Sequence, residues 1–223
     1  MSKAPDYICF TKGDGKSPDR LISFEHALRD ARIAPFNEVF ISSIFPPHCK
    51  IIPVNEGLKH LDFGEIIYVV RTRMQTNEPN RLIAASVGVS IPSNPNLYGY
   101  LSEHESYGET DEKAGAYAQY LALNMLLTSL GAPALNSFDE FKKVQKPYVL
   151  NISTIEDPIK REVVLKGMPS ETTSITITTK DFTQSALGDK DGLWTTVVAA
   201  GILIKDSNKK DEPKKEEIKQ ENK

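Results

Sequence analysis

One long helical pattern in a chain that otherwise consists of β-patterned runs is the feature that most constrains the fold. Thr110 can cap a helix over Asp111–Leu130, because acidic residues fill its first turn and Gly131 follows its end. We expect its apolar face to carry Tyr117, Tyr120, Leu121, Met125 and Leu127. Runs bounded by Pro, Gly or Asn predict strands at Tyr7–Thr11, Glu38–Ile44, Glu65–Met74, Arg81–Ile91, Leu97–Glu105, Tyr148–Ile152, Ser174–Thr179 and Leu193–Ile204. This arrangement predicts an α+β fold.

The remaining segments have weaker patterns. The Gly-rich run Lys12–Pro18 is expected to form a loop. Ser23 is expected to cap a short helix over Phe24–Arg32. The strand Leu193–Ile204 is almost continuously apolar, which predicts burial on both faces. Residues 206–223 are dominated by Lys, Glu and Asp, so we expect a disordered charged tail.

Composition limits the possible functions. A chain of 223 residues that is 39% apolar can bury one core, so we expect a single domain over residues 1–205. The net charge of −3 with interspersed signs offers no basic surface for nucleic acid or membrane lipid. Cys9 and Cys49 lack the spacing of a metal or disulfide motif, and the histidines lack metal-ligand spacing. Without a signal peptide pattern or a long apolar run, the protein is expected to be cytoplasmic, with no metal and no membrane partner.

A pair of adjacent serines, Ser42 and Ser43, ends an apolar run directly before Ile44-Phe45-Pro46-Pro47. The Ser43 hydroxyl could attack the Ser42 carbonyl and convert the amide between them into an ester. Elimination of that ester would leave dehydroalanine, which hydrolyses to a pyruvoyl group at the new N-terminus. Serine pairs commonly do no more than end a strand, so the pair alone leaves both interpretations open.

Four separated segments together resemble the pyruvoyl-dependent arginine decarboxylases, and they are Leu21–Leu28, Phe36–Pro47, Ala84–Pro92 and Gly99–Glu105. The most specific element is Asn37-x4-Ser42-Ser43-Ile44-x-Pro46-Pro47. The resemblance covers residues 18–131, with a weaker match at Trp194–Ile204. Residues 132–168 have no obvious counterpart in the family pattern and are expected to be an insertion.

The resemblance implies an architecture and a cofactor. The expected fold is a four-layer α/β/β/α sandwich of the pyruvoyl-dependent decarboxylase type. The chain is expected to cleave itself into a β chain, residues 1–42, and an α chain, residues 43–223. A covalently bound pyruvoyl group formed from Ser43 would serve in place of pyridoxal phosphate. The cleaved protomers are expected to form homotrimers with active sites at their interfaces.

The resemblance also assigns roles to individual residues. The substrate amine would form a Schiff base with the pyruvoyl group from Ser43, and after loss of CO2 Glu103 would return a proton to the α-carbon. Glu103 and Glu105 share one face of a strand, and burial would keep Glu103 protonated. Asn37 is expected to serve self-cleavage, with its amide holding the Ser42 carbonyl.

Three further residues, Glu25, Leu21 and Ser23, match positions that line the substrate pocket. Glu25 stands where the family typically carries an aspartate that meets the substrate guanidinium. The charge is kept, but the added methylene can change which cation fits. The expected reaction converts L-arginine to agmatine and CO2, in polyamine synthesis or acid resistance. Two alternatives stay open: a pyruvoyl decarboxylase of another amino acid, such as histidine or a lysine-like cation, or an uncleaved homologue with a structural or regulatory role.

Overall fold

A computed structural model describes residues 4–206, so most of the expected tail over 206–223 lies outside the described residues. In chain order the elements are β1 (Tyr7–Ser17), α1 (Arg20–Asp30), β2 (Asn37–Phe40), β3 (Ile44–Phe45), β4 (Lys50–Ile52), α2 (Val54–Gly57), β5 (Ile66–Thr76), β6 (Leu82–Pro92), β7 (Gly99–Tyr107), α3 (Asp111–Ser129), α4 (Phe138–Lys143), β8 (Tyr148–Asn151), α5 (Pro158–Leu165), β9 (Ser174–Leu187) and β10 (Trp194–Ile204). Helices and strands alternate irregularly along the chain, which confirms the predicted α+β class.

The strands form two five-stranded sheets with the orders β2-β5-β10-β1-β4 and β3-β7-β6-β9-β8. Most neighbouring strands are antiparallel, whereas β2 with β5 and β1 with β4 run parallel. Strand β10 lies at the centre of the first sheet between β1 and β5, and Val197, Val198, Ala199 and Ala200 are all fully buried. The prediction that this strand is buried on both faces is confirmed.

Apolar side chains fill the space between the two sheets. Val70 and Ala199 from the first sheet pack with Val87 and Leu101 from the second. The outer face of the first sheet is covered by α1, and the second sheet is covered by α3. Removing these side chains from water supplies the main driving force that holds the layers together.

Strand β1 corrects the predicted Lys12–Pro18 loop, because it continues to Ser17 and pairs with β10 along its whole length. The glycines are needed for close packing. A Cβ atom at Gly13 would lie 2.5 Å from the Ala27 carbonyl oxygen, and one at Gly15 would lie 2.4 Å from the Ser23 carbonyl oxygen. Glycine therefore lets α1 rest directly on the β1 backbone, an arrangement that a glycine-rich run does not distinguish from a turn.

Helix α1 begins earlier than predicted. Asp19 caps it, because its carboxylate accepts hydrogen bonds from the Leu21 and Ile22 backbone N–H groups. Ser23 lies inside the helix, fully buried, where its hydroxyl forms a 2.7 Å hydrogen bond with the Thr196 hydroxyl of β10. The predicted cap at Ser23 was wrong, because the helix begins at Arg20 and the Ser23 hydroxyl bonds to β10 of the sheet instead.

Helix α3 has the predicted cap, and its end lies within one residue of the prediction. The Thr110 hydroxyl accepts from the Lys113 N–H at 3.3 Å. Of the predicted apolar face, Leu127 is buried and Tyr120 packs against the same core cluster, but the most buried side is formed by Ala114, Gly115, Ala118, Ala122, Leu123, Leu126 and Leu127. Small residues let the helix approach β6, where a Cβ atom at Gly88 would lie 2.3 Å from the Ala118 carbonyl oxygen.

The predicted strand over Glu38–Ile44 is divided between the two sheets. Its first part is β2 in the first sheet, and its last residue begins β3 in the second sheet. Residues 41–43 therefore cross from one sheet to the other, and we call them the crossing segment. The serine pair lies in this segment.

Residues 132–168 contain α4, β8 and α5, and the predicted strand beginning at Tyr148 is confirmed as β8. Strand β8 adds to the second sheet beside β9. Phe141, Leu150 and Val164 belong to the same core cluster as Leu123 of α3. This segment is therefore packed into the core of the chain.

Candidate active site

The crossing segment is held to the two sheets by backbone hydrogen bonds. On one side, the Ile41 N–H donates to the Val69 carbonyl of β5 at 3.1 Å. On the other side, the Leu101 N–H of β7 donates to the Ser43 carbonyl at 2.8 Å. Within the segment, the Ile44 N–H donates to the Ser42 carbonyl at 3.0 Å, which closes a tight turn around Ser43. Both carbonyls that flank the Ser43 Cα are therefore fixed.

The hydrogen-bond donor to the Ser42 carbonyl differs from the expected one. Asn37 lies at the other end of β2, where its side-chain amide donates to the Gly64 carbonyl at 2.7 Å. Five residues of extended chain, on the order of 16 Å, separate it from Ser42. Within one chain the Ile44 N–H, and not the Asn37 amide, is placed to stabilise an oxyanion formed at Ser42.

Glu103 and Glu105 lie on β7 and turn toward the edge of β5 that β2 leaves unpaired. Because β2 ends at Phe40, no strand pairs with this edge of β5 from Arg71 onward within residues 4–206. The Glu105 carboxylate accepts from the Arg73 N–H at 3.1 Å and from the Thr72 hydroxyl at 3.2 Å. The two carboxylates thus accept hydrogen bonds from β5 that the backbone of a neighbouring strand would otherwise accept.

The Glu103 carboxyl group has a raised pKa. Burial is the largest cause, and the negative charge of Glu105 raises the pKa further, whereas the backbone N–H and the positive charge of Arg71 partly offset the rise. Glu103 follows Leu101, the donor to the Ser43 carbonyl, by two residues on the same face of β7. A carboxyl group with a raised pKa, exposed in the single chain, therefore stands about 7 Å along the strand from the residue that holds Ser43.

His104 faces the opposite side of β7, as the alternation of the strand predicts. Its Nε2 atom lies 2.9 Å from a Glu109 carboxylate oxygen, and its ring centroid lies 4.7 Å from that of Tyr117 on α3. It is thus separated from Glu103 by the sheet.

The three expected substrate-binding residues on α1 differ in their surroundings. Glu25 forms a 3.0 Å ion pair with Arg29 and lines an open cavity of about 930 Å³ that also includes Phe63. Leu21 is 73% exposed, whereas the buried Ser23 hydroxyl is occupied by its bond to Thr196. Glu25 and Leu21 are therefore accessible to a ligand, and Ser23 supports their helix from beneath.

The described residues contain no obvious alternative chemistry. Between residues 4 and 206, no group of three or more His, Cys, Asp or Glu side chains is arranged to hold a metal ion. No helix in that range is long and apolar enough to span a membrane. Cys9 and Cys49 are both free thiols, and burial raises the pKa of each to about 12, which makes them poor nucleophiles.

Comparison with known proteins identifies the family. A family model described as pyruvoyl-dependent arginine decarboxylase matches residues 7–208. The chain belongs to this family. Members of the pyruvoyl-dependent arginine decarboxylase family use a covalently bound pyruvoyl group as cofactor, and the match also spans residues 132–168.

Individual relatives agree over nearly their whole length. A probable pyruvoyl-dependent arginine decarboxylase from Chloroherpeton thalassium is 48% identical over 204 residues, covering 92% of this chain and 100% of the relative. The pyruvoyl-dependent arginine decarboxylase of Nitrosopumilus maritimus is 44% identical over 197 residues, covering 88% of this chain and 95% of the relative. Pyruvoyl-dependent arginine decarboxylase 2 of Methanosarcina mazei is 43% identical over 200 residues, covering 90% and 97% respectively.

The residues present fit the pyruvoyl group that the family implies. Ser43 carries a hydroxyl next to a carbonyl that accepts the Ile44 N–H, and its own carbonyl accepts the Leu101 N–H. Sequence reasoning missed these two donors because every residue except proline has a backbone N–H. It also missed Thr72 and Arg73, whose contacts with Glu105 depend on which strand faces β7.

Proposed function

We propose that this chain is a self-processing decarboxylase that converts L-arginine to agmatine and CO2. The observation that carries the proposal is the crossing segment, in which Ser43 lies in a turn fixed by Ile44 and by Leu101, two residues before Glu103, whose pKa is raised. Membership of the pyruvoyl-dependent arginine decarboxylase family supplies the substrate class. Polyamine synthesis or acid resistance would use the product.

Self-cleavage would proceed by the chain's own groups. The Ser43 hydroxyl attacks the Ser42 carbonyl, the Ile44 N–H stabilises the oxyanion, and the amide between the two residues becomes an ester. Elimination then breaks the ester C–O bond, so that Ser42 leaves as a carboxylate and residue 43 becomes dehydroalanine. One water converts dehydroalanine to pyruvoyl and releases ammonia. In our proposal Asn37 supports self-cleavage, because its hydrogen bond to the Gly64 carbonyl fixes the start of β2.

In the decarboxylation, the pyruvoyl ketone would supply the sink for the electron pair that CO2 leaves on the substrate α-carbon. The Leu101 N–H orients and polarises the carbonyl of residue 43. Glu103 holds a proton and delivers it to the substrate α-carbon after CO2 has left. Glu105 assists because its negative charge favours the protonated form of Glu103.

We further propose a single domain over residues 1–205 with the four-layer α/β/β/α architecture, which the positions of α1 and α3 support. A homotrimer would bring Glu25 and Leu21 of one protomer to Ser43 of the next. Large apolar side chains that are at least 40% exposed on α1, β2 and β5 support such an interface: Leu21, Ile22, Val39, Phe40, Ile66 and Tyr68. The free thiols support a cytoplasmic location.

A second candidate is the decarboxylation of another cationic amino acid. Glu25 favours it, because its carboxylate extends one methylene further than the aspartate expected at this position. A panel assay of CO2 release from arginine, lysine and histidine, with Glu25→Asp as the matched variant, separates the two. Arginine as the preferred substrate of the wild-type protein supports the first proposal, and a preference for lysine or histidine overturns it.

The experiment that tests the proposed activity uses purified protein without added pyridoxal phosphate. Arginine should release CO2 and yield agmatine, and borohydride added together with arginine should abolish the activity by reducing the covalent adduct. Ser43→Ala should be inactive but folded. Equal function of the Ser43→Ala variant would instead identify an uncleaved homologue with a structural or regulatory role.

A further inference from the structure

Three arginine side chains gather beside the crossing segment, and we call Arg20, Arg71 and Arg73 the arginine cluster. They line a cavity of about 490 Å³ together with Phe40 and Glu105. The Arg71 guanidinium lies 4.9 Å from the Phe40 ring centroid, so β2 forms one wall of this cavity. The proposed active site uses none of the three guanidinium groups.

The arginine cluster is short of negative charge. Arg71 forms a 2.8 Å ion pair with Glu38, and the two side chains are only 9% and 12% exposed. Within residues 4–206, neither Arg20 nor Arg73 forms an ion pair with a carboxylate. Glu38 and Glu105 stand against the three guanidinium groups, which leaves one positive charge in excess whenever the nearby Glu103 is protonated.

Arg73 is the least compensated member of the cluster. Its guanidinium lies 4.4 Å from the Phe24 ring centroid, and in the described part of the chain its backbone N–H, not its side chain, contacts Glu105. Burial is the largest cause that lowers its pKa, followed by the positive charges of Arg71 and Arg20, and the negative charges of Glu105 and Glu38 offset the shift only in part. An anion placed beside Arg73 would relieve this repulsion.

The proposed cleavage creates such an anion nearby. Ordinary hydrolysis of a peptide bond produces a carboxylate and an ammonium group, which can pair with each other. Here the nitrogen of residue 43 leaves as ammonia and the new N-terminus is the uncharged pyruvoyl group. The Ser42 carboxylate is therefore formed without a cationic partner of its own.

The register of β2 and β5 brings Ser42 toward the arginine cluster. The two strands are parallel, with Phe40 aligned with Val69. Phe40 also lines the cavity of the arginine cluster and precedes Ser42 by two residues, on the order of 7 Å along the chain. The 3.1 Å bond from the Ile41 N–H to the Val69 carbonyl holds the end of β2 on β5 independently of the peptide bond that is cut.

We propose that the arginine cluster binds the carboxylate that self-cleavage creates at Ser42, with Arg73 as its main partner because Arg71 is already paired with Glu38. This inference rests on the proposed cleavage at Ser43. The cluster stabilises the cleaved chain and offsets the repulsion between the new carboxylate and Glu105, which lines the same cavity.

The test compares Arg73→Gln in two backgrounds, the cleaved protein and the uncleavable Ser43→Ala protein, by thermal unfolding. In the cleaved protein the substitution should lower Tm by about 2–4 °C, the shift that corresponds to one modest charge interaction in a domain of this size. In the Ser43→Ala protein Tm should stay unchanged or rise, because no carboxylate is lost and repulsion is relieved. Arg81→Gln, which removes an arginine outside the cavity, is the matched control and should behave alike in both backgrounds.

Inorganic phosphate serves as a probe of the same cluster. It should raise the Tm of the Ser43→Ala protein but not that of the cleaved protein, whose site is filled by Ser42. Equal effects of Arg73→Gln in both backgrounds, or equal stabilisation of both by phosphate, would overturn the inference while leaving the proposed function intact. A wild-type chain that never cleaves would overturn both.

Discussion

The two edges of the stacked sheets are closed in different ways. At the edge formed by β1 and β9, side chains of one sheet meet those of the other: the Phe10 and Phe182 rings stack with centroids 3.9 Å apart, and the Gln184 side chain donates to the Asp14 carboxylate. At the edge formed by β5 and β7, the Glu105 carboxylate binds a backbone amide. We call the first edge, where the two rings stack, the packed edge, and the second, where within residues 4–206 amides of β5 lack a partner strand, the open edge.

The difference has a topological cause. Strand β2 has four residues and β5 has eleven, because the chain leaves the first sheet after Phe40 to cross to the second. The crossing leaves amides of β5 without a partner strand, and unpaired amides attract carboxylates. The same short strand thus explains why Ser43 is in a turn and why two carboxylates stand close to it.

Glu103→Gln should have the largest effect and should be confined to the open edge. Without a proton donor, kcat for arginine should fall about 10²–10⁴-fold. CO2 release, normalised to the cleaved fraction seen on a denaturing gel, measures this. Glu105→Gln keeps the proton donor and lowers only its pKa, so it should lose less activity than Glu103→Gln; an unchanged kcat for Glu103→Gln would show that the open edge does not supply the proton.

Phe10→Ala should weaken the packed edge without changing the chemistry. Phe10 is 6% exposed and stacks on Phe182, so its truncation should cost about 3–5 kcal/mol in the free energy of unfolding. Denaturant unfolding measures the loss. Phe63→Ala is the matched control, since Phe63 is 87% exposed and its truncation should change the stability by at most about 0.5 kcal/mol. Comparable losses of stability for both variants would show that the stacking of Phe10 on Phe182 does not stabilise this edge.

Glu105→Gln should shift the pH dependence of kcat. Glu103 is an acid with a raised pKa, so it is protonated below that pKa and loses its proton as the pH rises through it. Removing the negative charge of Glu105 should lower the pKa of Glu103, and activity should therefore decline at a lower pH than in the wild type. Profiles of kcat against pH for the two proteins test this. A decline at the same or a higher pH would show that Glu105 does not raise the pKa of Glu103.

Thr72→Val should have the smallest effect. The Thr72 hydroxyl is one of two donors to the Glu105 carboxylate, and the Arg73 N–H remains after the substitution. We expect a loss of about 1 kcal/mol in the free energy of unfolding, with little further loss when Glu105→Gln is already present. Fully additive losses would indicate that the two residues do not interact.

Much of the fold could be predicted because the signals are local. The Thr110 cap placed the start of α3, and the continuous apolar run placed β10 in the interior. Gly13 and Gly15 were misassigned because the requirement for glycine comes from α1, which the local sequence does not reveal. The crossing between β2 and β3 was missed because Phe40 and Ile41 continue an apolar pattern while the chain changes sheets.

The site could be predicted only as far as side chains identify it. Ser43, Glu103 and Glu25 were predicted through the resemblance of short motifs to one family. The amides of Ile44 and Leu101 have no sequence signature. The Asn37 side chain contacts Gly64 because Asn37 lies at the start of β2, whereas the serines follow the end of this strand. Backbone groups and contacts between distant strands need the folded structure.

The measurement that tests the central claim most directly is the intact mass of the purified wild-type protein under denaturing conditions. We predict two chains, residues 1–42 and residues 43–223, with the second carrying a pyruvoyl group in place of Ser43, and an uncut Ser43→Ala variant. A single wild-type chain of 223 residues, unchanged after prolonged incubation, would contradict the proposed self-cleavage.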